Sequence, residues 1–407
     1  MPTTTPESLG MSSKRLARID CFLAERYVGP GRLPCALLQV AREGKRLHQS
    51  VLGHASLETG AMLEEDSIVR IYSMTKPITS VAFMMLVEEG RIALEDPVHR
   101  YIPSWRNLGV YRSGTVGAFQ TRPVDTPMRI VDLLRHTSGL TYGFQMRTSV
   151  DAAYRSEGVD PFEQSEGLEA FIYALSKLPL EFSPGTAWNY SVSTDVLGYL
   201  VGQVSGIPFD RFVKERILDP LGMVDTAFHV SDDKASRFAE CYTTAPSGAL
   251  VRAPTHDYRA PPAAPSGGGG LVSTAGDYMR FCEALRCGGA LGDVRLLGPK
   301  TLRLMRANHL PGGAELADCS ISMFSEAFYQ GIGFGLGFAV AVDPVKSGIA
   351  SSPGEYWWGG MASTAFWVDP VEDVSVVFLT QLVPSSLYPI RRELRTMVNA
   401  AIVDSKA

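Results

Sequence analysis

The segment Ile71-Tyr72-Ser73-Met74-Thr75-Lys76-Pro77-Ile78-Thr79-Ser80 sets a serine and a lysine three residues apart, and the apolar run Val81-Ala82-Phe83-Met84-Met85-Leu86-Val87 follows at once. Helical spacing puts positions i and i+3 on one face, about 5–6 Å apart between Cβ atoms, so the Lys76 amine can reach the Ser73 hydroxyl. A hydroxyl beside a base is an activated nucleophile, suited to forming a covalent intermediate. The positive end of the helix dipole at this turn favours a developing alkoxide and disfavours a protonated lysine. Pro77 fits the first helical turn, where amides have no intrahelical partner, and Gly90 supplies a stop. Between them the pattern is apolar nearly all round, as in a helix buried inside a protein. A lysine at the root of such a helix would be partly desolvated, which lowers its pKa toward neutrality.

Ser-x-x-Lys is short enough to arise about once by chance in a chain of ordinary composition. It does recur, at Ser231-Asp232-Asp233-Lys234. There two carboxylates beside the lysine keep the amine charged and solvated, and the copy reads as a turn or helix cap. Ser73 therefore needs support from elsewhere in the chain. One candidate is Phe182-Ser183-Pro184-Gly185-Thr186-Ala187-Trp188-Asn189-Tyr190-Ser191-Val192, ahead of a helical pattern that runs to Val201. A tyrosine in a loop at a helix start, near a lysine, can act as base or acid; alone, Tyr190 reads equally as an aromatic packed in a loop. The other is Tyr356-Trp357-Trp358-Gly359-Gly360-Met361-Ala362, just ahead of a strand. Its glycines let backbone approach a ligand closely, and an edge strand there could offer an N–H to an oxyanion; alone it is equally a strand-entry turn.

The elements that must position these residues follow from periodicity. An N-terminal helix signal at Ser12-Ser13-Lys14-Arg15-Leu16 precedes strands at 34–41 and about 47–51, a hairpin with its turn at Glu43-Gly44-Lys45. Further strands read at 335–342, 364–368 and 374–379, and a C-terminal helix at about 386–403. Between these strand-rich ends, helical patterns at 130–134, 167–175 and 194–201 alternate with proline- and glycine-rich loops. The expectation is an α+β fold. Its antiparallel sheet is built from both chain ends, with one lobe at 1–98 and 266–407 and a mainly helical lobe inserted at 99–265. A crevice between lobes is where a ligand site forms. The run Pro261–Gly270 reads as an ordered loop with tight backbone approach, because a well-capped helix starts at Ser273-Thr274-Ala275-Gly276-Asp277.

Composition narrows the function. The chain has 407 residues, 45% of them hydrophobic, enough for a large core. Its formal net charge of −5 comes without a basic cluster, so no nucleic-acid partner is expected. The start Met1-Pro2-Thr3-Thr4-Thr5-Pro6-Glu7 has neither a basic nor an apolar leader region, and no apolar run approaches the roughly 18 residues of a membrane span. Six cysteines without C-x-x-C spacing are expected to be free thiols in a reducing, cytoplasmic setting. Seven scattered histidines suggest no metal site, and no cofactor is expected.

Taken in order, Ser73-x-x-Lys76, Tyr190-Ser191-Val192 and Trp358-Gly359-Gly360 resemble the S-x-x-K, Y-x-N and K-T-G pattern of serine hydrolases built like class C β-lactamases and penicillin-binding proteins. The resemblance spans about residues 12 to 400, and Leu133-Leu134-Arg135-His136-Thr137-Ser138-Gly139-Leu140 and Gly268-Gly269-Gly270-Leu271-Val272-Ser273-Thr274 support it. Val192 stands where the lactamases have asparagine, and Trp358 where they have lysine. The lactam-binding amide and the ammonium that attracts a β-lactam carboxylate are therefore missing. These departures resemble the family VIII carboxylesterases and related statin-type acyltransferases, and an apolar Trp358 suits an uncharged ester. No G-x-S-x-G occurs, which argues against an α/β-hydrolase elbow.

The resemblance implies Ser73 as nucleophile, with Lys76 and Tyr190 sharing the proton traffic and the backbone N–H groups of Ser73 and Met361 forming the oxyanion hole. Tyr72, Phe334, Trp357, Trp358, Gly359 and Gly360 are the expected substrate contacts, and Asp195 reads as a helix cap. The expected activity is hydrolysis of short- to medium-chain esters, small molecules, through an acyl-enzyme. Acyl transfer to an alcohol and weak β-lactam hydrolysis are the alternatives. The natural ester, the preferred acyl length and the oligomeric state carry no sequence signal.

Overall fold

The computed structural model describes residues 2–322 and 330–407. Cys35–Arg42 carries apolar side chains on both of its alternating faces, Leu37 and Ala41 on one and Ala36, Leu38 and Val40 on the other. Such a strand must be covered on both sides. Among the described residues, eight strands form one antiparallel sheet. They are β1 (Cys35–Arg42), β2 (Lys45–Ser56), β3 (Ala61–Met62), β4 (Ile332–Phe334), β5 (Ala339–Ala341), β6 (Tyr356–Gly359), β7 (Ala365–Asp369) and β8 (Val374–Leu379), in the spatial order β4-β5-β6-β7-β8-β1-β2-β3. Both chain ends thus meet at the β8–β1 pair, where Leu38 faces Phe378 and Val40 faces Val376.

One face of the sheet is covered by α1 (Ser13–Leu23), whose start Ser12 caps by accepting from the Arg15 amide at 3.3 Å, together with the C-terminal helix Ile390–Ala401. Leu16, Ile19 and Leu23 pack there with Ile390, Leu394 and Val398. Against the other face lie α2 (Thr75–Glu88) and the helix Ala275–Arg286, capped by the Thr274 side chain. On its far side α2 packs against Ser193–Ser205, and one apolar cluster runs without a break from Leu37 and Val377 through Ile78, Val81 and Phe83 to Val196, Leu197 and Leu200. This explains the all-round apolar pattern of α2, since a helix walled by a sheet and by other helices has no polar side. The helix ends where expected, with Gly90 in the left-handed region at φ 68°. No helix among the described residues is long and apolar enough to cross a membrane.

The expected strand at 335–342 is instead a hairpin, β4 and β5 joined by Gly335-Leu336-Gly337-Phe338. The two glycines decide this. A Cβ on Gly335 would lie 2.1 Å from the Met305 carbonyl oxygen, and Gly337 turns at φ 100° with Ser80 Oγ 2.3 Å from where a Cβ would sit. Trp357-Trp358-Gly359 stands ahead of a strand, β7, as expected, but it is also itself a strand, β6, and it lies inside the sheet between β5 and β7 rather than at an edge.

Phe83 is fully buried in the shared cluster. Phe83→Ala should therefore destabilise the fold by about 3–5 kcal/mol, read from the shift of a chemical denaturation curve.

Candidate active site

The serine turn is held from both flanks before it reaches the helix. Val69–Arg70 pairs with Val272–Ser273, and the Ile71 amide donates to the Leu271 carbonyl at 3.2 Å. A 3-10 turn over Tyr72–Met74 then leads into α2, with Tyr278 Oη donating to the Met74 carbonyl at 2.8 Å. Tyr72 sits at φ 43°, a region that a bulky residue occupies at a cost and that clusters at functional sites. Within Ile71–Ser80, Ser73 alone keeps appreciable surface.

Lys76 is 2% exposed. Its Nζ donates to Ser73 Oγ at 3.2 Å and to the Gly268 carbonyl at 2.6 Å, and lies 4.5 Å from the Tyr190 ring centroid and 5.2 Å from that of Tyr142. The glycine run delivers that carbonyl, in the close-approach role expected of it. A Cβ on Gly267 would meet the Thr194 carbonyl oxygen at 2.7 Å, and one on Gly268 would meet Asp195 Oδ2 at 2.5 Å. Asp195 does not cap its helix, as the sequence suggested. Its Oδ1 accepts from Ser266 Oγ at 2.6 Å and from the Gly268 amide at 2.8 Å, and the Tyr142 hydroxyl stands on the same side of Gly268 as this carboxylate. Burial raises the Asp195 pKa above the usual carboxylate range, against the opposing pull of Lys76 and these donors.

Tyr190 Oη donates to Ser73 Oγ at 2.6 Å. Its ring stands among Trp188, His136, Tyr142 and Trp358, with centroids 6.2, 5.1, 5.2 and 5.5 Å away. The Leu133–Leu140 phrase builds this box. The His136 carbonyl accepts from the Asn189 amide at 2.9 Å, and its Nδ1 meets Ser191 Oγ at 3.2 Å. Gly139 turns at φ 86° where a Cβ would lie 2.4 Å from the Phe182 carbonyl oxygen. Burial, and then Lys76, push the His136 pKa well below its usual value, so the imidazole is neutral. Burial, and then Asp195, raise the Tyr142 pKa well above that of a free phenol. Tyr142 is therefore a neutral phenol beside Asp195.

The third motif closes the site. A Cβ on Gly360 would lie 2.2 Å from the Ile71 carbonyl oxygen, so only glycine lets the end of β6 rest on the residue two before Ser73. The Gly360 amide donates to the Thr364 carbonyl at 2.9 Å and the Ser363 amide to that of Gly360 at 3.1 Å, which shapes the turn carrying Met361. Ser73, Tyr190, Trp357, Trp358, Gly359, Gly360, Met361 and Tyr72 all line one pocket of about 560 Å³, a volume suited to a small molecule. Phe334, expected on this wall, is not among the lining residues. It is 1% exposed and packs edge-on behind Trp358 at 5.4 Å, because β4 comes in beneath the wall. Val192 turns into the core and does not line the pocket. The second Ser-x-x-Lys lies apart, with Lys234 on the Val224 carbonyl and paired to Asp225.

Sequence reasoning missed Tyr142, Asp160, Phe162, His256 and the arginines of the C-terminal helix, Arg391, Arg392 and Arg395, all of which line the pocket. None stands in a pattern of its own; the glycine run that touches Tyr142 and Asp195 was the available signal.

This arrangement is shared with known proteins. Residues 23–398 match the β-lactamase family profile. Esterase EstB of Burkholderia gladioli is 32% identical over 404 residues, covering 92% of this chain and 93% of EstB. Protein Rv1367c of Mycobacterium tuberculosis is 36% identical over 360 residues, 87% of each chain. Among solved structures, EstCE1, described as a hydrolase with promiscuous acyltransferase activity, superposes with a TM-score of 0.78 at 25% identity, covering 98% of this chain and 99% of that one. A LovD6 mutant of the Aspergillus terreus simvastatin synthase, at 24% identity, shares the fold with a TM-score of 0.80 over 95% of this chain and 93% of its own. The chain belongs to the β-lactamase family of serine hydrolases, on the branch of the family VIII esterases.

Proposed function

We propose that the protein hydrolyses short- to medium-chain carboxylic esters through an acyl-enzyme on Ser73. The observation that carries this reading is the meeting at Ser73 Oγ of the Lys76 amine at 3.2 Å and the Tyr190 hydroxyl at 2.6 Å, on the wall of a largely aromatic pocket. A nucleophile within reach of two groups able to exchange its proton has what acyl transfer requires. The likeness to EstB supports an ester as the substrate class.

In this reading the lobe of residues 1–98 and 266–407 supplies Ser73 and the Trp-Gly-Gly strand, and the lobe of 99–265 supplies Tyr190. The Lys76–Tyr190 pair accepts the Ser73 proton when it is one proton short, as an amine beside a phenol or an ammonium beside a phenolate. Ser73 Oγ bonds the ester carbonyl carbon, and the backbone N–H groups of Ser73 and Met361 receive the oxyanion. As the C–O bond to the alcohol breaks, the pair returns the proton to the leaving oxygen. Water then bonds the acyl carbon and loses a proton to the same pair; the Ser73 Oγ–acyl bond breaks, Oγ takes that proton back, and the acid leaves. Trp358, set against the Tyr190 ring, offers an apolar wall and no cation for the carboxylate of a β-lactam. A cytoplasmic setting fits cysteines that lack C-x-x-C spacing.

The description of EstCE1 favours a second reading, transfer of the acyl group to an alcohol in place of water. A nucleophile that waits for its second acceptor does not distinguish the two in kind.

Ser73→Ala should lower kcat on p-nitrophenyl butyrate by about 10³-fold or more and abolish the acyl adduct seen by intact-protein mass spectrometry after brief exposure; unchanged turnover would refute the nucleophile. Tyr190→Phe keeps the boxed ring and loses the hydroxyl, and should cost about 10²–10⁴-fold in kcat with little change in denaturation midpoint. With methanol added to the ester assay, a growing share of methyl ester among the products would show transfer competing with hydrolysis, and its absence would leave water as the acceptor.

A further inference from the structure

One wall of the pocket lies outside the hydrogen bonds that join Ser73, Lys76 and Tyr190. It consists of the Asp160 carboxylate and the rings of Tyr142, Phe144, Phe162 and His256. Asp160 is fixed by the 3-10 turn Pro161–Glu163, which it caps by accepting from the Phe162 amide at 3.0 Å. The rings come in pairs, Tyr142 on Phe144 at 4.7 Å and Phe162 on His256 at 4.5 Å, both nearly parallel. The glycine run joins them, since Tyr142 Oη lies 2.8 Å from where a Cβ on Gly268 would sit and the Phe162 ring 3.6 Å from that of Gly269.

The charge on this wall is not balanced from within. Among the described residues no lysine or arginine forms an ion pair with Asp160. Its field reaches Tyr142, Asp195 and Tyr258, whose pKa values it raises, which sets it beside the Lys76 cluster. There the Lys76 charge is already opposed by Asp195. Burial lowers the His256 pKa below its usual value, so that ring is neutral at pH 7. A half-buried carboxylate loses hydration, and a neutral ester returns nothing for that loss. A cation does, through Coulomb attraction and through the negative faces of aromatic rings. The guanidinium groups on the C-terminal helix, by contrast, are turned to the protein. Arg395 pairs with Glu355 and lies 4.0 Å over the Trp357 ring, Arg392 donates to the Gly348 carbonyl and Arg391 to that of Gly360.

We propose that the wall formed by Asp160, Tyr142, Phe144, Phe162 and His256 is a subsite for an ammonium group, from primary amine to quaternary, so that the ester cleaved at Ser73 carries a cationic substituent. The word ester rests on the esterase reading; the subsite itself does not need turnover.

Choline and 3,3-dimethylbutan-1-ol have one shape and differ in the charge of a single atom, so their binding to the Ser73→Ala protein, measured by calorimetry, isolates the subsite from the chemistry. Choline should bind about tenfold or more tightly than its neutral isostere, and the preference should fall toward one when Asp160→Asn is added, since asparagine keeps the oxygen that caps Phe162 and loses the charge. Equal affinities, no saturable choline binding, or a preference that survives Asp160→Asn each overturn the proposal. Where the double variant does not fold, the isostere comparison in the single variant still decides. An unmutated protein that forms no acyl adduct would remove the esterase reading and leave the binding result standing.

Discussion

The buried amine of Lys76 is the group on which the rest of the site depends. An amine at 2% exposure cannot be left without acceptors, because an unpaired buried polar or charged group costs several kcal/mol. α2 cannot supply them, as its own carbonyls are engaged in the helix. The acceptors therefore come from elsewhere, the Gly268 carbonyl from a loop nearly two hundred residues away in sequence and Ser73 Oγ from the turn before the helix, with the Tyr190 ring against the amine. Meeting this requirement also places the lysine within hydrogen-bond reach of the serine hydroxyl.

Each acceptor brings further requirements. The Gly268 carbonyl reaches Lys76 because Asp195 holds the amide of the same residue and because the run from Gly267 to Gly270 has no side chains to keep it away. Asp195 is in turn held by Ser266, with the Tyr142 hydroxyl beside it, and Tyr142 packs on Tyr190. The third motif joins through sterics, with Gly360 against the Ile71 carbonyl, so that the end of β6 and the left-handed Tyr72 bracket Ser73. The strain at Tyr72 is held by its surroundings: the ladder to Val272–Ser273 on one side, the Tyr278 hydroxyl on the other, and a buried cluster with Cys241, Ala253 and Ala362.

Much of this was readable in the chain because it rests on local rules. The spacing of Ser73 and Lys76, the helix stop at Gly90 and the caps at Ser12 and Thr274 depend on a few neighbouring residues. The strands of the β8–β1 pair announce themselves by continuous apolar runs. Errors came where a local pattern was ambiguous until a remote partner arrived. Gly335–Val342 has the composition of a strand, but the Met305 carbonyl and Ser80 press on its glycines and fold it into a hairpin. Phe334 was expected to face the ligand, and the depth of β4 beneath Trp358 hides it.

By itself, then, the sequence determined the family and the antiparallel sheet drawn from both ends of the chain, and it singled out Ser73, Lys76 and Tyr190 as candidates that the fold brings together, because these are carried by spacing, periodicity and motif order. The tertiary structure alone decided that Asp195 steadies a loop instead of capping a helix, that Tyr142 is a neutral partner while Tyr190 meets the serine, and that Asp160 stands with four aromatic rings on the pocket wall. Those roles depend on burial and on contacts between segments far apart in sequence. A lone aspartate or tyrosine carries no pattern that reveals which low-dielectric environment the fold will build around it.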